Sequence, residues 1–328
     1  MNNRFIYFCV IVGFVGIFLF KMDNNSTKIK ICISQVVEHP ALNATVKGII
    51  DELAIQGFSA DETCEIMIDS AQGQVGLASQ IAAKFVSQKP AVIVGVGTLS
   101  AQSLLKYSKN NTVTLVFSSV TDPIGAQLLD AQGKSIRSVY GFSNFVPLEP
   151  QLELFKTIQP GLHRLGIIYN PSELNSVSIV AQLQKICPDY GIQLVPQVLT
   201  TTADAMQVTM FLASQVDAIF VSNDNTALSS LPTIIAVADK ARIPTYVSDT
   251  DAVTLGALAA LGPNQYELGR QTGIMIAKLL RKEPVTQQLE YPVQIECYLN
   301  MQAARKMEIA IPEELIERAA AVIQGDIA

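Results

Sequence analysis

Short runs that are apolar on both faces recur along this chain, among them "AVIVGV" (Ala91–Val96), "VTLVFSS" (Val113–Ser119), "RLGIIYN" (Arg164–Asn170) and "VDAIFVS" (Val216–Ser222). Segments with helical spacing separate them, such as Ala41–Gly57, Gln74–Pro90, Glu173–Ile186 and Thr226–Ala241. A strand without a polar face must be covered on both sides, and an intervening helix supplies that cover, so the pattern predicts α/β architecture with parallel sheets. The alternation runs once from Lys28 to about Ser119 and restarts at the helical stretch Pro147–Pro160, which predicts two doubly wound lobes. At 328 residues and 49% hydrophobic composition the chain can bury a core for each.

Doubly wound sheets bind ligands beyond the carboxyl ends of their strands. Six of the expected strand exits are polar: Ser34–Leu42, Gly95–Gln102, Ser118–Pro123, Tyr169–Ser176, Ser222–Ser229 and Ser248–Val253. Several open helices, whose free N–H groups attract anions. Any one of them is explained as a helix cap; together they predict a polar pocket between the lobes. The candidate ligand-binding residues are Glu38, His39, Thr98, Ser100, Ser119, Asp122, Asn170, Glu173, Asn175, Ser176, Asn223, Asp224, Asn225 and Asp249. For a zwitterionic ligand, Thr98, Ser100 and Ser119 suit a carboxylate, and Asp122, Asp224 and Asp249 suit an ammonium. Asp122 before Pro123 also suits an Asx turn, Asp224 a helix cap, and Glu173 the first turn of a helix. Asp249 is expected to face the cleft and Asp251 to face water.

Other chemistries find little support. The net charge of −6 comes without a basic and aromatic patch, which argues against nucleic acid. "GVGTLS" follows the third expected strand and has Ser100 where a dinucleotide fingerprint needs glycine, and no phosphate loop is present. His39 and His163, the only histidines, lie in neither a nucleophile elbow nor a zinc motif. No catalytic residue, metal site or cofactor is therefore expected. The cysteines have no C-x-x-C spacing; Cys32 and Cys64 on the first two strands are compatible with a bridge in an oxidising compartment and equally with buried thiols.

The N-terminus reads separately. Arg4 precedes an unbroken apolar run from Phe5 to Phe20, followed by Lys21 and a polar linker. This is the pattern of a secretory signal, and the lack of a small-x-small cleavage site leaves a retained membrane anchor open. Residues 1–27 are assigned to this segment and the protein to an extracytoplasmic location.

Several stretches carry a resemblance: "QVVEHPALNATVKGIIDEL", "FSSVTDPIGAQLL", "LGIIYNPSELNS", "VDAIFVSNDNTALSS" and "LNMQAARKMEIAIPEELIERA". Together they resemble the substrate-binding proteins of ABC transporters of the tryptophan/tyrosine type. The resemblance implies a type I periplasmic-binding fold, a small amino-acid ligand with aromatic ones among the family's solutes, and a permease partner in the membrane. The segment Gly97–Ser100, Asn223 and Ser248 depart from the family's usual residues, which puts the ligand's identity in question. With the local pattern, the resemblance places one lobe at 28–143 and 263–292 and the other at 144–262 and 293–328, joined by a hinge that the chain crosses several times. A ligand-sensing module acting through a membrane partner is the second reading, and an enzyme the third.

Overall fold

The computed structural model describes residues 28–60, 62–107, 113–135 and 137–324. The expected N-terminal signal or anchor lies outside the described residues; among those described, no helix is long and apolar enough to cross a membrane. Two sheets form. The first is built from β1 (Ile29–Gln35), β2 (Cys64–Ser70), β3 (Val92–Val96), β4 (Thr114–Ser118), β5 (Val139–Phe142) and a short late strand, β11 (Leu289–Glu290). Its order is β11-β5-β4-β3-β1-β2 and every pairing is parallel. The second contains β6 (Arg164–Tyr169), β7 (Gln193–Val198), β8 (Ala218–Val221), β9 (Thr245–Val247), β10 (Ala259–Gly262), β12 (Glu296–Asn300) and β13 (Ala321–Ile323), in the order β13-β12-β10-β9-β8-β6-β7. Only β10 with β12 is antiparallel.

The bare apolar strands behave as their sequences require. Along β3, Val92, Val94 and Val96 enter one apolar cluster of the first lobe and Ile93 enters the other, on the opposite face of the sheet. In β8, Ala218 and Phe220 face one cluster of the second lobe, and Ile219 and Val221 the other. A period of two therefore distributes each strand between two cores, and neither face is free for solvent or ligand. Polar function is left to the strand ends.

Chain order fixes which ends matter. From β1 the chain moves to β2 on one side and then to β3 on the other, and β6, β7 and β8 repeat that step in the second sheet. Each reversal opens a crevice beside the middle strand. At these exits start α1 (Pro40–Ile55), α3 (Thr98–Tyr107), α5 (Leu174–Ile186) and the short α7 (Asn225–Ser229). The remaining helices cover the sheets: α2 (Val75–Ser87), α4 (Leu148–Ile158), α6 (Ala205–Ala213), α8 (Leu231–Lys240), α9 (Gln265–Leu280), α10 (Met301–Lys306) and α11 (Glu313–Arg318). The single helix expected over Thr226–Ala241 is two, α7 and α8, because Pro232 falls in the first turn of α8 and the chain resets at Ser230. Cys32 and Cys64 are both free. Cys64 pairs with Ile29 and Cys32 with Met67, so three residues of strand, about 10 Å, separate them, too far for a bridge.

The chain passes between the sheets after β5, after β10 and after β11. After β10 it runs into α9, which lies against α1 so closely that their backbones touch. A Cβ on Gly269 would stand 2.1 Å from the Thr45 carbonyl oxygen, and one on Gly48 would stand 2.1 Å from that of Tyr266. Beside this seam the buried Glu52 accepts from Arg270 Nε at 3.0 Å. Because backbone rather than a flexible side chain occupies the space, Gly269→Ala is expected to push the helices apart and to lower the unfolding free energy by about 1–3 kcal/mol, the usual cost of overpacking. Urea titration of both proteins measures it, and an unchanged midpoint would show that the seam is not close-packed in solution.

Candidate functional site

The two crevices face each other across a polar chamber of about 330 Å³, its opening to solvent included. From the first lobe come His39, Ala41 and Leu42 at the start of α1, Thr98 at the start of α3, Ser119 and Thr121 beyond β4, and Gln265 opening α9. The second lobe contributes Asn175 on α5, Asn223, Asn225 and Leu228 around α7, and Asp249 beyond β9; Asn144 lies on the first crossing between sheets. Seven of the sequence candidates thus line one space: His39, Thr98, Ser119, Asn175, Asn223, Asn225 and Asp249.

Asp249 is the one carboxylate of this lining. It is 4% exposed, and its Oδ1 accepts from the Asp251 amide at 3.4 Å, the cap of the 3-10 turn Thr250–Leu255. Burial, reinforced by the charge of Asp251, pushes its pKa up to about 7. Asp251 does not face water as expected: it is half-buried, and burial followed by the nearby Glu296 raises its pKa too. Opposite in sense is His39, 5% exposed, whose imidazole burial pushes down to about 4. A neutral histidine and a carboxyl that resists ionisation are what a dry, closed space does to each group. Ser119 adds strain: it holds φ 53°, a left-handed backbone that a residue with a side chain seldom adopts. Its Oγ lies 3.2 Å from both Thr45 Oγ1 and Gln265 Oε1, which ties β4, α1 and α9 together beneath the chamber.

The other candidates are placed elsewhere. Glu173 lies beside the chamber with its carboxylate spent on α7: Oε1 accepts from Thr226 N at 3.0 Å and Thr226 Oγ1 at 2.8 Å, Oε2 from Asn225 N at 2.9 Å and Asn225 Nδ2 at 2.6 Å. Asp224 is fully buried and serves as the cap, accepting from Ala227 N at 2.7 Å and Asn170 N at 2.6 Å. Burial and then Glu173 raise its pKa to about 7, and Ser176 turns its side chain to it. Asp122 forms an Asx turn onto Gly125 N at 2.8 Å and reaches across the lobes, where Ser178 Oγ donates to it at 3.0 Å. Ser100 accepts from Ser34 Oγ at 3.1 Å, Asn170 donates to Thr226 Oγ1 at 2.9 Å, and Glu38 is exposed. None of Glu38, Ser100, Asp122, Asn170, Glu173, Ser176 and Asp224 lines the chamber.

Thr121, Asn144 and Gln265 line it without having been singled out from sequence. Thr121 sat inside a flagged exit, and Gln265 follows the Asn264 helix cap, a signal that marks a helix start without saying which lobe it joins. A larger groove, about 1190 Å³ with its open mouth, adjoins the chamber and shares Thr98, Asn175 and Asn225 with it. Val36, Val37, Val75, Leu99 and Leu174 give the groove an apolar wall, and Thr200–Thr202 form part of its rim. Among the described residues no group of three or more His, Cys, Asp or Glu side chains is placed to hold a metal.

Comparison with known proteins agrees with this geometry. The family model for ABC transporter substrate binding proteins matches residues 30–323. A tyrosine-binding protein of Clostridioides difficile is 32% identical over 265 residues, 81% of this chain and 76% of that one. An ABC domain from Streptococcus pneumonia in complex with L-Trp superposes with a TM-score of 0.85 at 30% identity, covering 90% of this chain and 100% of that one. The ligand-free, open structure of a substrate-binding protein from Clostridium difficile reaches only 0.68, although its identity is 31% and the coverage 90% and 99%. Two doubly wound lobes with a polar chamber between them, and a family match over nearly the whole described length, identify the chain as a member of the ABC transporter substrate-binding protein family.

Proposed function

We propose that this protein captures an α-amino acid with a large apolar side chain, aromatic ones foremost, and delivers it to an ABC permease in the membrane. The observation that carries this reading is a single buried carboxylate, Asp249, in a chamber whose other polar groups are neutral and which opens onto a groove lined mainly by polar residues with an apolar strip of Val36, Val37, Val75, Leu99 and Leu174. An ammonium group beside Asp249 restores the charge that burial opposes. The ligand carboxylate sits at Thr98 and beside Ser119, where the Thr98 hydroxyl and the free amides opening α3 provide donors. Its side chain extends past Thr98 and Asn175 to Leu99 and Leu174. Similarity to the tyrosine-binding protein and the L-Trp complex supports the aromatic choice. Catalysis plays no part: the ligand leaves as it came, and hinge closure is the working step, driven by the ligand's preference for the closed form. The N-terminal apolar run beside Arg4 exports the chain to the outer side of the cytoplasmic membrane, released or tethered.

Isothermal titration with L-tryptophan and L-tyrosine is expected to give low micromolar affinity or better for at least one, about 8 kcal/mol of binding free energy. Asp249→Asn keeps the shape and removes the charge, and it is expected to cost about 1.5–3 kcal/mol, a weakening of tenfold or more. If neither amino acid, nor any other common one, binds at millimolar concentration, the reading fails.

Stability against pH gives an independent check without ligand. The folded pKa of Asp249 is raised, so the native protein holds a proton there that the unfolded chain has released above its ordinary value of 3.8. Its contribution is therefore intact below that value and is lost as pH rises towards 7. Asp249→Asn escapes the loss. Urea unfolding at pH 5 and pH 8 is expected to show the variant gaining on the wild type by up to about 2–3 kcal/mol, the part of the loss that falls between pH 5 and the raised pKa of about 7; a difference that stays constant with pH would mean that Asp249 is hydrated in the empty protein.

A further inference from the structure

His39 is buried, yet its Nε2 has no hydrogen-bond partner. It caps α1 by position only, since its side chain accepts no bond from the helix. A buried polar atom left unpaired costs about 1–3 kcal/mol, so its persistence at a chamber wall needs an explanation. The neighbouring groups settle its character. Glu173 only accepts, and Asn225 Nδ2 donates to its Oε2 at 2.6 Å, which fixes the Asn225 amide with its oxygen turned away from Glu173. That side chain shares the chamber wall with the His39 ring and faces it from the other lobe. Since Nε2 is the nitrogen left unpartnered, the contact with Asn225 is assigned to Nδ1, which facing an oxygen carries the proton. In a neutral imidazole the second nitrogen is then a bare lone pair.

We propose that His39 Nε2 is a second acceptor for the ligand's ammonium, acting with Asp249 from the opposite lobe, and that it is what makes the site select a primary amine. The inference rests on the amino-acid reading above and narrows it. An ammonium has three donors, and two acceptors from opposite lobes engage it only when the cleft is shut. The lone pair also repels a carboxylate, so the start of α1 beside His39 is closed to the ligand's negative end, which is left to Thr98 and Ser119. A 2-hydroxy acid of the same shape offers one O–H and no charge, and it leaves one of the two acceptors empty.

Titration of the wild type and His39→Leu with L-tryptophan and with indole-3-lactate tests this. The wild type is expected to prefer the amino acid strongly. His39→Leu is expected to weaken L-tryptophan tenfold or more while changing indole-3-lactate by less than about threefold, so the preference shrinks. His39→Gln, whose side-chain oxygen can accept, is expected to recover part of it, and melting curves confirm that both variants fold. Equal losses for the two ligands would make His39 a carboxylate or packing residue and overturn the proposal, as would no loss for either. A wild type that binds no amino acid at all would instead remove the parent reading. Long-range ¹H–¹⁵N spectra of the protein saturated with L-tryptophan, where the lobes are closed, read the tautomer directly, with only His163 as a second signal; a proton on Nε2 of His39 would also overturn the assignment.

Discussion

The carboxylate of Glu173 organises the face that the second lobe turns to the cleft. A five-residue helix has no packing strong enough to set its own direction, and α7 is such a helix. Four donors from Asn225 and Thr226 converge on Glu173 from above, and Asp224 takes Ala227 and Asn170 from within. These bonds determine where Asn223 and Asn225 stand, and through Asn225 they reach His39 in the other lobe. Two acidic residues at strand exits thus act as scaffold, and their presence lets neutral amides do the facing. The arrangement also explains why two carboxylates sit so close: each is held by N–H groups at a helix start, which offset part of their repulsion.

A second theme is the division of charge between the lobes. The first lobe lines the chamber with hydroxyls, an amide and a neutral imidazole; the second contributes the carboxyl of Asp249. Burial between the lobes disfavours the ionised form of that carboxyl and pushes its pKa up to about 7. A cationic group on the ligand reverses the sign of this effect, so the same burial that opposes empty closure strengthens the closed complex. Asp122 with Ser178 is a side-chain link between the two lobes.

Much of this was readable from sequence. The bare apolar runs dictated two parallel-rich sheets, because no other arrangement covers both faces of such strands, and the switch-point rule then pointed to the exits that meet. Position beyond a strand was therefore legible; direction was not. Asp224, Glu173 and Asp122 have the composition of ligand contacts, but the first two accept from the N–H groups that start α7 and Asp122 accepts from the turn amide of Gly125 and from Ser178 across the lobes. Composition cannot separate a cap from a contact when both want a short carboxylate. Gln265 escaped notice for a different reason: it reaches the chamber only because the chain returns to the first lobe after β10, and the close glycine seam between α1 and α9 that seats it has no local signature. Asp251 shows the limit of alternation in a turn, where the 3-10 geometry folds the second carboxylate back under the sheet.

The central claim is the orientation of a zwitterion in this chamber, and a crystal structure of the complex with L-tryptophan or L-tyrosine tests it most directly. The account predicts the ligand nitrogen within about 3.2 Å of the Asp249 carboxylate, the ligand carboxylate against Thr98 and Ser119, and the ring in the groove beside Leu99 and Leu174. A ligand lying the other way, with its carboxylate nearest Asp249, or one seated wholly in the outer groove with the chamber filled by water, would contradict it.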